Sequence, residues 1–332
     1  MPKLHVEEYT LAYTGKSVLV ACREGILRDH FNPIVADIKF LTRQGIRTTL
    51  FHNMPHRFAN QKHSRALASK LPETRIVRVP SEKDFYEYVL DYQDHGFKLI
   101  FLERKELVDP KGHRINALTT QGARKTLKAF GDLIVNQNFK DILERICCKI
   151  EDGKYDRVHI LPAGKNTIKY ELFTLEGSGT LIANNFTEVF SRVSSDEEAK
   201  IVASILSLSE REGYLKPRTR DYIQQNRHNF YVTKIDDIIV GCVESKPVDP
   251  ETVELGALAI STKFRNQRVG VYTINAFMAE MAKKGYKRFI SLTKNPRLQK
   301  LYYSMGFEKK RLAQYRSRQK QSPGVDMFFK QI

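Results

Sequence analysis

Apolar positions change period several times along the chain. SVLVAC (residues 17–22) is nearly continuous in apolar side chains and reads as a buried strand. NPIVADIKFLTRQ (32–44) carries apolar residues at helical spacing and stops at Gly45, after which IRTTLFH (46–52) reads as a second strand. A strand, an amphipathic helix and a strand joined by short connections predict a parallel sheet. KLIFL (98–102) and RVHIL (157–161) predict further strands, and GARKTLKAF and FKDILERICCKI have helical period.

The pattern changes near Ala183. In SRVSSDEEAKIVASILSLSEREG, Ser195 is placed to cap a helix whose first turn is acidic (Asp196, Glu197, Glu198), as the helix dipole prefers. NFYVTKIDDIIVGCVES predicts a hairpin turned at Asp236 and Asp237, and VELGALAIS a strong strand. A helix from Val269 to Lys284, a strand RFISLT (288–293), a short helix from Asn295 to Met305 and a closing pair of strands follow. There is no internal repeat and no low-complexity segment. These shifts predict two α/β domains, residues 1–185 and 186–332.

A length of 332 residues is enough for two domains, and 41% hydrophobic with 28% charged residues is a globular composition. No apolar run is long enough to span a membrane and the first thirty residues lack a signal pattern, so the expectation is a cytoplasmic protein. Cys22, Cys147, Cys148 and Cys242 have no metal-ligand spacing, and Cys147 and Cys148 fall on opposite faces of their helix; free, mostly buried thiols and no metal are expected. The net charge of +17 is spread over both halves, with one dense cluster from Lys309 to Lys320. Such a field suits a polyanionic small molecule or an acidic substrate as well as nucleic acid. A basic motif interleaved with aromatics is missing, which ranks a nucleic-acid-associated role last.

The strand VELGALAIS, the loop TKFRNQRVG and the helix after it gather backbone N–H groups at a helix N-terminus, an anion site in principle. Downstream, KNPRLQKLYYSMGF sets Asn295 seven residues before Tyr302, followed by Gly306 and Phe307. Residues seven apart share a helical face, so the spacing predicts that Asn295 and Tyr302 address one ligand. Together the two segments resemble the GNAT acetyltransferases. Arg265 and Gly270 keep the first and last places of that family's phosphate loop, and Arg268 stands where a glycine is usual. The resemblance implies acetyl-CoA as cosubstrate, its pyrophosphate held by Arg265, Asn266, Gln267, Arg268, Val269, Gly270 and Val271, with Asn295 alongside. It places the acetyl and pantetheine amides on the backbone of Leu258, Ala259 and Ile260. Amine attack on a thioester needs a base and an acid; the resemblance assigns Glu254 as base, through water, and Tyr302 as acid. The structural alternatives are a solvated strand residue for Glu254 and core packing for Tyr302.

The whole chain resembles the N-acetylglutamate synthases, in which an amino-acid-kinase-like domain precedes a GNAT domain. ELFTLEGSGTLI (171–182) is similar to the closing motif of that kinase fold, and FKDILERICCKIEDGKYDRVHIL to the helix and strand before it. The implied architecture is a truncated amino-acid-kinase-like parallel-sheet domain followed by a GNAT mixed α/β domain. Ala21, Cys22, Arg23, Glu24 and Gly25 stand where such kinases have a Lys and a Gly pair. His52, Asn53, Met54 and Pro55 replace a Gly-rich turn, and Pro has no N–H to offer phosphate. Much of the nucleotide-binding middle is missing too, which implies a domain that transfers no phosphate.

In the family this domain serves assembly and control by arginine, implying a homo-oligomer and an arginine site that includes Glu176 and Gly177, although Asn166 replaces a usual histidine. The acceptor implied is L-glutamate, whose carboxylates call for cations. Arg218, in GYLKPRTRDYI, matches one glutamate-binding segment. Lys320, where Arg is usual, and Ser322, in YRSRQKQS, match a second with one residue inserted. Another amino acid, a polyamine or a protein lysine stays open as acceptor.

Overall fold

The computed structural model describes residues 4–13, 15–55, 67–93, 96–109, 111–130, 137–186, 188–264, 269–316 and 324–332. The chain divides into two compact units, Met1–Phe186 and Thr187–Ile332. None of the described helices is long and apolar enough to cross a membrane.

The first unit begins with the short helix α1 (Val6–Tyr13) and then strand β1 (Ser17–Cys22), buried from Val18 onward. Helices α2 (Glu24–Asp29) and α3 (Phe31–Arg43) lead to β2 (Arg47–His52), with Gly45 at φ +74° in the reversal between α3 and β2. The remaining elements are β3 (Arg75–Arg78), α4 (Phe85–Asp91), β4 (Gly96–Glu103), β5 (Ala117–Thr119), α5 (Thr120–Phe130), α6 (Gln137–Glu151), β6 (Tyr155–Pro162), α7 (Thr167–Phe173) and β7 (Thr180–Ala183). The sheet order is β3-β2-β1-β4-β6-β7-β5. All neighbours are parallel except β6 and β7. Central strands covered on both faces explain the unbroken apolar runs that made β1 and β4 legible.

Beyond the carboxyl ends of β1 and β4, where sheets of this kind hold ligands, the space belongs to side chains. Glu103, 2% exposed, accepts from Tyr86 Oη at 2.6 Å and Arg23 Nη2 at 3.2 Å. After β6, whose carboxyl end lies beside that of β4, α7 starts at Asn166, whose φ is a left-handed 61° and whose side chain makes no cap bond. The capping group comes instead from α3: buried Asp37 accepts from Ile168 N at 2.9 Å. Buried Glu171 in turn accepts from Ser178 N (2.6 Å) and Gly179 N (3.1 Å) and pairs with His159 Nδ1 at 2.8 Å. Any side chain on Gly179 would put a Cβ 2.3 Å from the Ile160 carbonyl oxygen, so glycine is required there. Cys22, Cys147 and Cys242 are buried free thiols, and Cys148 is exposed.

The second unit contains β8 (Glu188–Arg192), α8 (Asp196–Arg211), α9 (Arg220–Gln225), β9 (Phe230–Ile235), β10 (Ile238–Asp249), β11 (Thr252–Ile260), α10 (Val269–Ala282), β12 (Arg288–Thr293), α11 (Pro296–Ser304), β13 (Glu308–Lys309) and β14 (Asp326–Gln331). Ser195 Oγ accepts from Glu198 N while Glu198 accepts from Ser194 N at 2.7 Å, a reciprocal cap that fixes the start of α8. The β9–β10 hairpin turns on Asp236 (φ 53°) and Asp237 (φ 64°), the positive angles that a tight two-residue turn needs. The sheet order is β13-β14-β12-β11-β10-β9-β8. One of its faces is packed by a core that includes Val253, Leu255, Ile274, Phe277, Phe289 and Tyr302.

Asp37 sets a pH-dependent term in the first unit. Burial raises its pKa from 3.8 to about 6 against the opposing bonds from Ile168 and Lys169. A carboxyl whose folded pKa exceeds its unfolded value favours the fold at low pH and costs stability as pH rises through that interval. Asp37→Asn keeps an acceptor for Ile168 N and removes the charge. Its stability relative to the parent should therefore improve by on the order of 2 kcal/mol between pH 4 and pH 7. Urea unfolding at both pH values measures this; a difference that does not move with pH would refute it.

Candidate active site

Strands β11 and β12 run parallel from Thr252↔Arg288 to Glu254↔Ile290 and then part. β12 keeps its antiparallel neighbour β14 from Arg288↔Gln331 to Thr293↔Asp326, and β11 stays with β10 as far as Ile260↔Gly241. The sheet therefore forks, leaving one edge of Leu255–Ile260 without a strand to bond. Ser291 bridges the apex: its hydroxyl donates to the Leu255 carbonyl at 3.0 Å and lies 2.9 Å from the Tyr302 hydroxyl.

A bulge lies on the same edge. Cys242↔Ala259 and Glu244↔Gly256 are consecutive pairings, so β11 spends one more residue than β10 between them. Ala257 takes a φ of 46°, unusual for a residue with a Cβ. Inward positions shift accordingly: Val253 and Leu255 reach the core at a spacing of two, and the next to do so is Leu258 at a spacing of three. Leu258, Ala259 and Ile260, expected to receive the acetyl and pantetheine amides, thus line the open edge of the fork.

Past the fork, Ser261 N donates to the Val240 carbonyl at 2.7 Å and α10 begins at Val269. Gly270 lies where a Cβ would stand 3.2 Å from Leu301 Cδ2 and 3.9 Å from Ile260 Cγ1, so its lack of a side chain lets α10 approach α11 and β11. Val271 follows in the first turn. Arg265, Asn266, Gln267 and Arg268 lie outside the described residues, as do Lys320 and Ser322.

Asn295 and Tyr302, expected on one helical face, have different local roles. Asn295 is the N-cap of α11, in extended conformation, and its Oδ1 accepts from Arg297 N at 3.0 Å. The side chain of Asn295 is thus spent on the helix start, one residue before the first helical position. Tyr302 is fully buried against Phe307 and Phe328 with its hydroxyl on Ser291, so core packing and a place at the fork coexist in one side chain. Burial pushes its pKa up to about 12; the Ser291 bond lowers it and the charge of Glu254 raises it. The phenol therefore stays protonated at neutral pH. Glu254 itself is 6% exposed, which excludes the solvated-surface alternative.

On β10, opposite Glu254 and Gly256, lie two residues that the motif reading missed. Lys246 pairs with Glu254, and Glu244 with Gly256. Glu244 is 1% exposed and receives Arg218 Nε at 2.8 Å, Tyr222 Oη at 2.5 Å and Lys246 Nζ at 3.3 Å. Arg218 thus lies on the same sheet face as Glu254, bound to an internal carboxylate. Alternate charged residues within a buried strand, Glu244 and Lys246 in VESK, were the available signal.

In the first unit, Gly177 has φ 64° and its N–H donates to Thr174 Oγ1 at 3.1 Å, while the Glu176 carbonyl accepts from Arg114 Nη2 at 3.3 Å. Both belong to the loop that Glu171 organises.

The strand, the loop and the helix starting just past the opening follow the order that the sequence predicts; the fork and the bulge are seen only in the structure. Residues 199–307 match the acetyltransferase (GNAT) family. The GNAT match thus covers the helix before the hairpin, the fork, α10 and α11. Curated relatives include amino-acid acetyltransferases. That of Pseudomonas syringae pv. syringae is 26% identical over 170 residues, covering 51% of this chain and 38% of the relative. That of Ralstonia nicotianae is 30% identical over 199 residues, covering 59% of this chain and 43% of the relative. The matched part is therefore less than half of each relative's length. The structure of N-acetylglutamate synthase from Neisseria gonorrhoeae, complexed with coenzyme A and L-arginine, covers 99% of this chain and 98% of its own. Its TM-score is 0.56 at 16% identity, and the likeness is one of fold.

The bulge carries a direct test. Ala257→Val would suit a straight strand, but a β-branched side chain at positive φ should lower stability by about 1–2 kcal/mol. Thermal unfolding of the variant measures it, and an unchanged midpoint would mean that the backbone is not held in that conformation.

Proposed function

We propose that this protein transfers the acetyl group of acetyl-CoA to the α-amino group of L-glutamate. The observation that carries the reading is the fork between β11 and β12, with a protonated, buried Tyr302 at its apex and Glu254 on the last paired position. Curated relatives named amino-acid acetyltransferase support the same class of acceptor.

In this reading acetyl-CoA lies in the fork as a substitute strand. Its amides bond to the free edge of Leu258, Ala259 and Ile260, and its pyrophosphate lies over residues 265–271, at the start of α10. Arg218, Lys320 and Ser322 hold the carboxylates of glutamate, and Asn295 keeps the start of α11 in place beside the fork. Glu254 takes a proton from the ammonium through water, and the amine attacks the thioester carbon. The C–S bond then breaks and the thiolate leaves with the proton of Tyr302. A phenol whose pKa lies near 12 remains protonated until the thiolate forms beside it. The reaction is expected to run in the cytoplasm, in a homo-oligomer.

Following free thiol with acetyl-CoA and L-glutamate should reveal glutamate-dependent release, and Tyr302→Phe should lower kcat by roughly 10²-fold with little effect on KM, as loss of a general acid does. No glutamate-dependent release from the wild type would refute the acceptor; an unchanged rate in the Phe variant would remove Tyr302 from the chemistry.

L-arginine is proposed as an effector bound near Glu176 and Gly177, on the strength of the closing-loop motif and of the arginine-bound Neisseria gonorrhoeae structure of the same fold. Millimolar arginine should raise the melting temperature or change the rate of thiol release. The absence of both effects would dismiss this role.

A further inference from the structure

Glu244 is a buried carboxylate for which the proposed chemistry has no use. Removing a carboxylate from water costs several kcal/mol, and a buried ion pair often adds no stability over an apolar packing of the same volume. Here the cost is met by three donors from three segments: Arg218 from the connection between α8 and α9, Tyr222 from α9, and Lys246 from β10 itself. The connection is fixed at Arg218 from other directions as well. Its backbone N–H donates to Glu210 Oε1 at 2.8 Å and its Nη1 to the Lys216 carbonyl at 3.1 Å. Held at Nε and Nη1, the guanidinium has a defined orientation.

The strand opposite leaves room for this arrangement. A Cβ on Gly256 would stand 3.3 Å from Lys246 Cε and 3.5 Å from Glu244 Oε2. Lys246 pairs across the strands with Glu254, the residue given the role of base, and directly opposed side chains have Cβ atoms about 5 Å apart. Of the cations gathered by Glu244, Lys246 is thus the cross-strand neighbour of the group that would accept the amine proton, and Arg218 binds the carboxylate two residues along the same face. A carboxylate on the same carbon as the amine fits that short separation.

We propose that Glu244 is a positioning residue of the acceptor site. By fixing Arg218 and Lys246 beside Glu254, it prepares the site for an amine that carries an α-carboxylate, an α-amino acid. This rests on the acetyl transfer to L-glutamate proposed above, and goes beyond it by giving the acceptor class a structural cause.

The test measures thiol release at saturating acetyl-CoA with L-glutamate varied, for the wild type, Glu244→Gln and Glu244→Asp. Glu244→Gln should raise the KM for glutamate about tenfold or more while kcat falls less than about threefold and the KM for acetyl-CoA stays constant. Glu244→Asp, which keeps the charge, should recover part of the glutamate KM. An unchanged or lower KM in Glu244→Gln overturns the proposal; a lower value would mean that Glu244 competes with substrate for Arg218. A parallel loss of kcat and of folded protein with no KM change also overturns it. Should Glu244→Gln fail to fold, Tyr222→Phe removes one of the three bonds and keeps every charge; it should raise the glutamate KM about threefold, and an unchanged value overturns the proposal. A wild type that shows no glutamate-dependent release refutes the acetyl transfer to glutamate and this inference with it. An active wild type with an indifferent Glu244→Gln refutes this inference alone.

Discussion

The parting of β11 from β12 is the constraint on which the second unit is arranged. Two parallel strands that bond for three residues and then separate must each satisfy their backbone elsewhere. β12 does so through β14 along its full length, and β11 does so on one side through β10. The other side of β11 keeps its polar edge open. The bulge at Ala257 re-aims the residues that line this edge, Ser291 bonds across the apex, and the phenol of Tyr302 closes it from the core side. One register decision thereby fixes where the sheet keeps an open edge and which hydroxyl lies at its apex.

Buried charge is used differently in the two units. In the first, Glu103 with Arg23 and Tyr86 fills the space beyond the strand ends, and Glu171 organises a loop through two backbone N–H groups. In the second, Glu244 gathers cations on the sheet face of Glu254. The first pattern consumes a carboxylate's bonding capacity within the fold. The second holds Arg218 and Lys246 on the sheet face where Glu254 lies.

Elements whose reason is local were legible in the sequence. β1 and β12 are apolar runs of the right length, Ser195 precedes an acidic first turn, and Asp236-Asp237 separates two strand patterns; each was read within about one residue. Tyr302 and Glu254 were reached through the GNAT resemblance, and core packing of Tyr302 was one of the readings; the burial of Glu254 was not legible, because burial depends on what the fold brings over a residue. The cap role of Asn295 was not read, because spacing alone does not distinguish a cap from the first turn. Glu244 escaped because its partners, Arg218 and Tyr222, come from more than twenty residues upstream. The alternating charges of VESK mark the strand, but they do not say which distant cation Glu244 will meet.

The dependence of β12 on β14 has a consequence for synthesis. β12 is made well before the strand that will hold it, with α11, β13 and the segment around Tyr315 translated in between. Until β14 arrives, β12 has only its three pairings with β11, a short non-local contact with an exposed edge that invites wrong partners. The opening is therefore the last part of its sheet to become definite, and a nascent chain lacking β14 has the residues of the site without its shape.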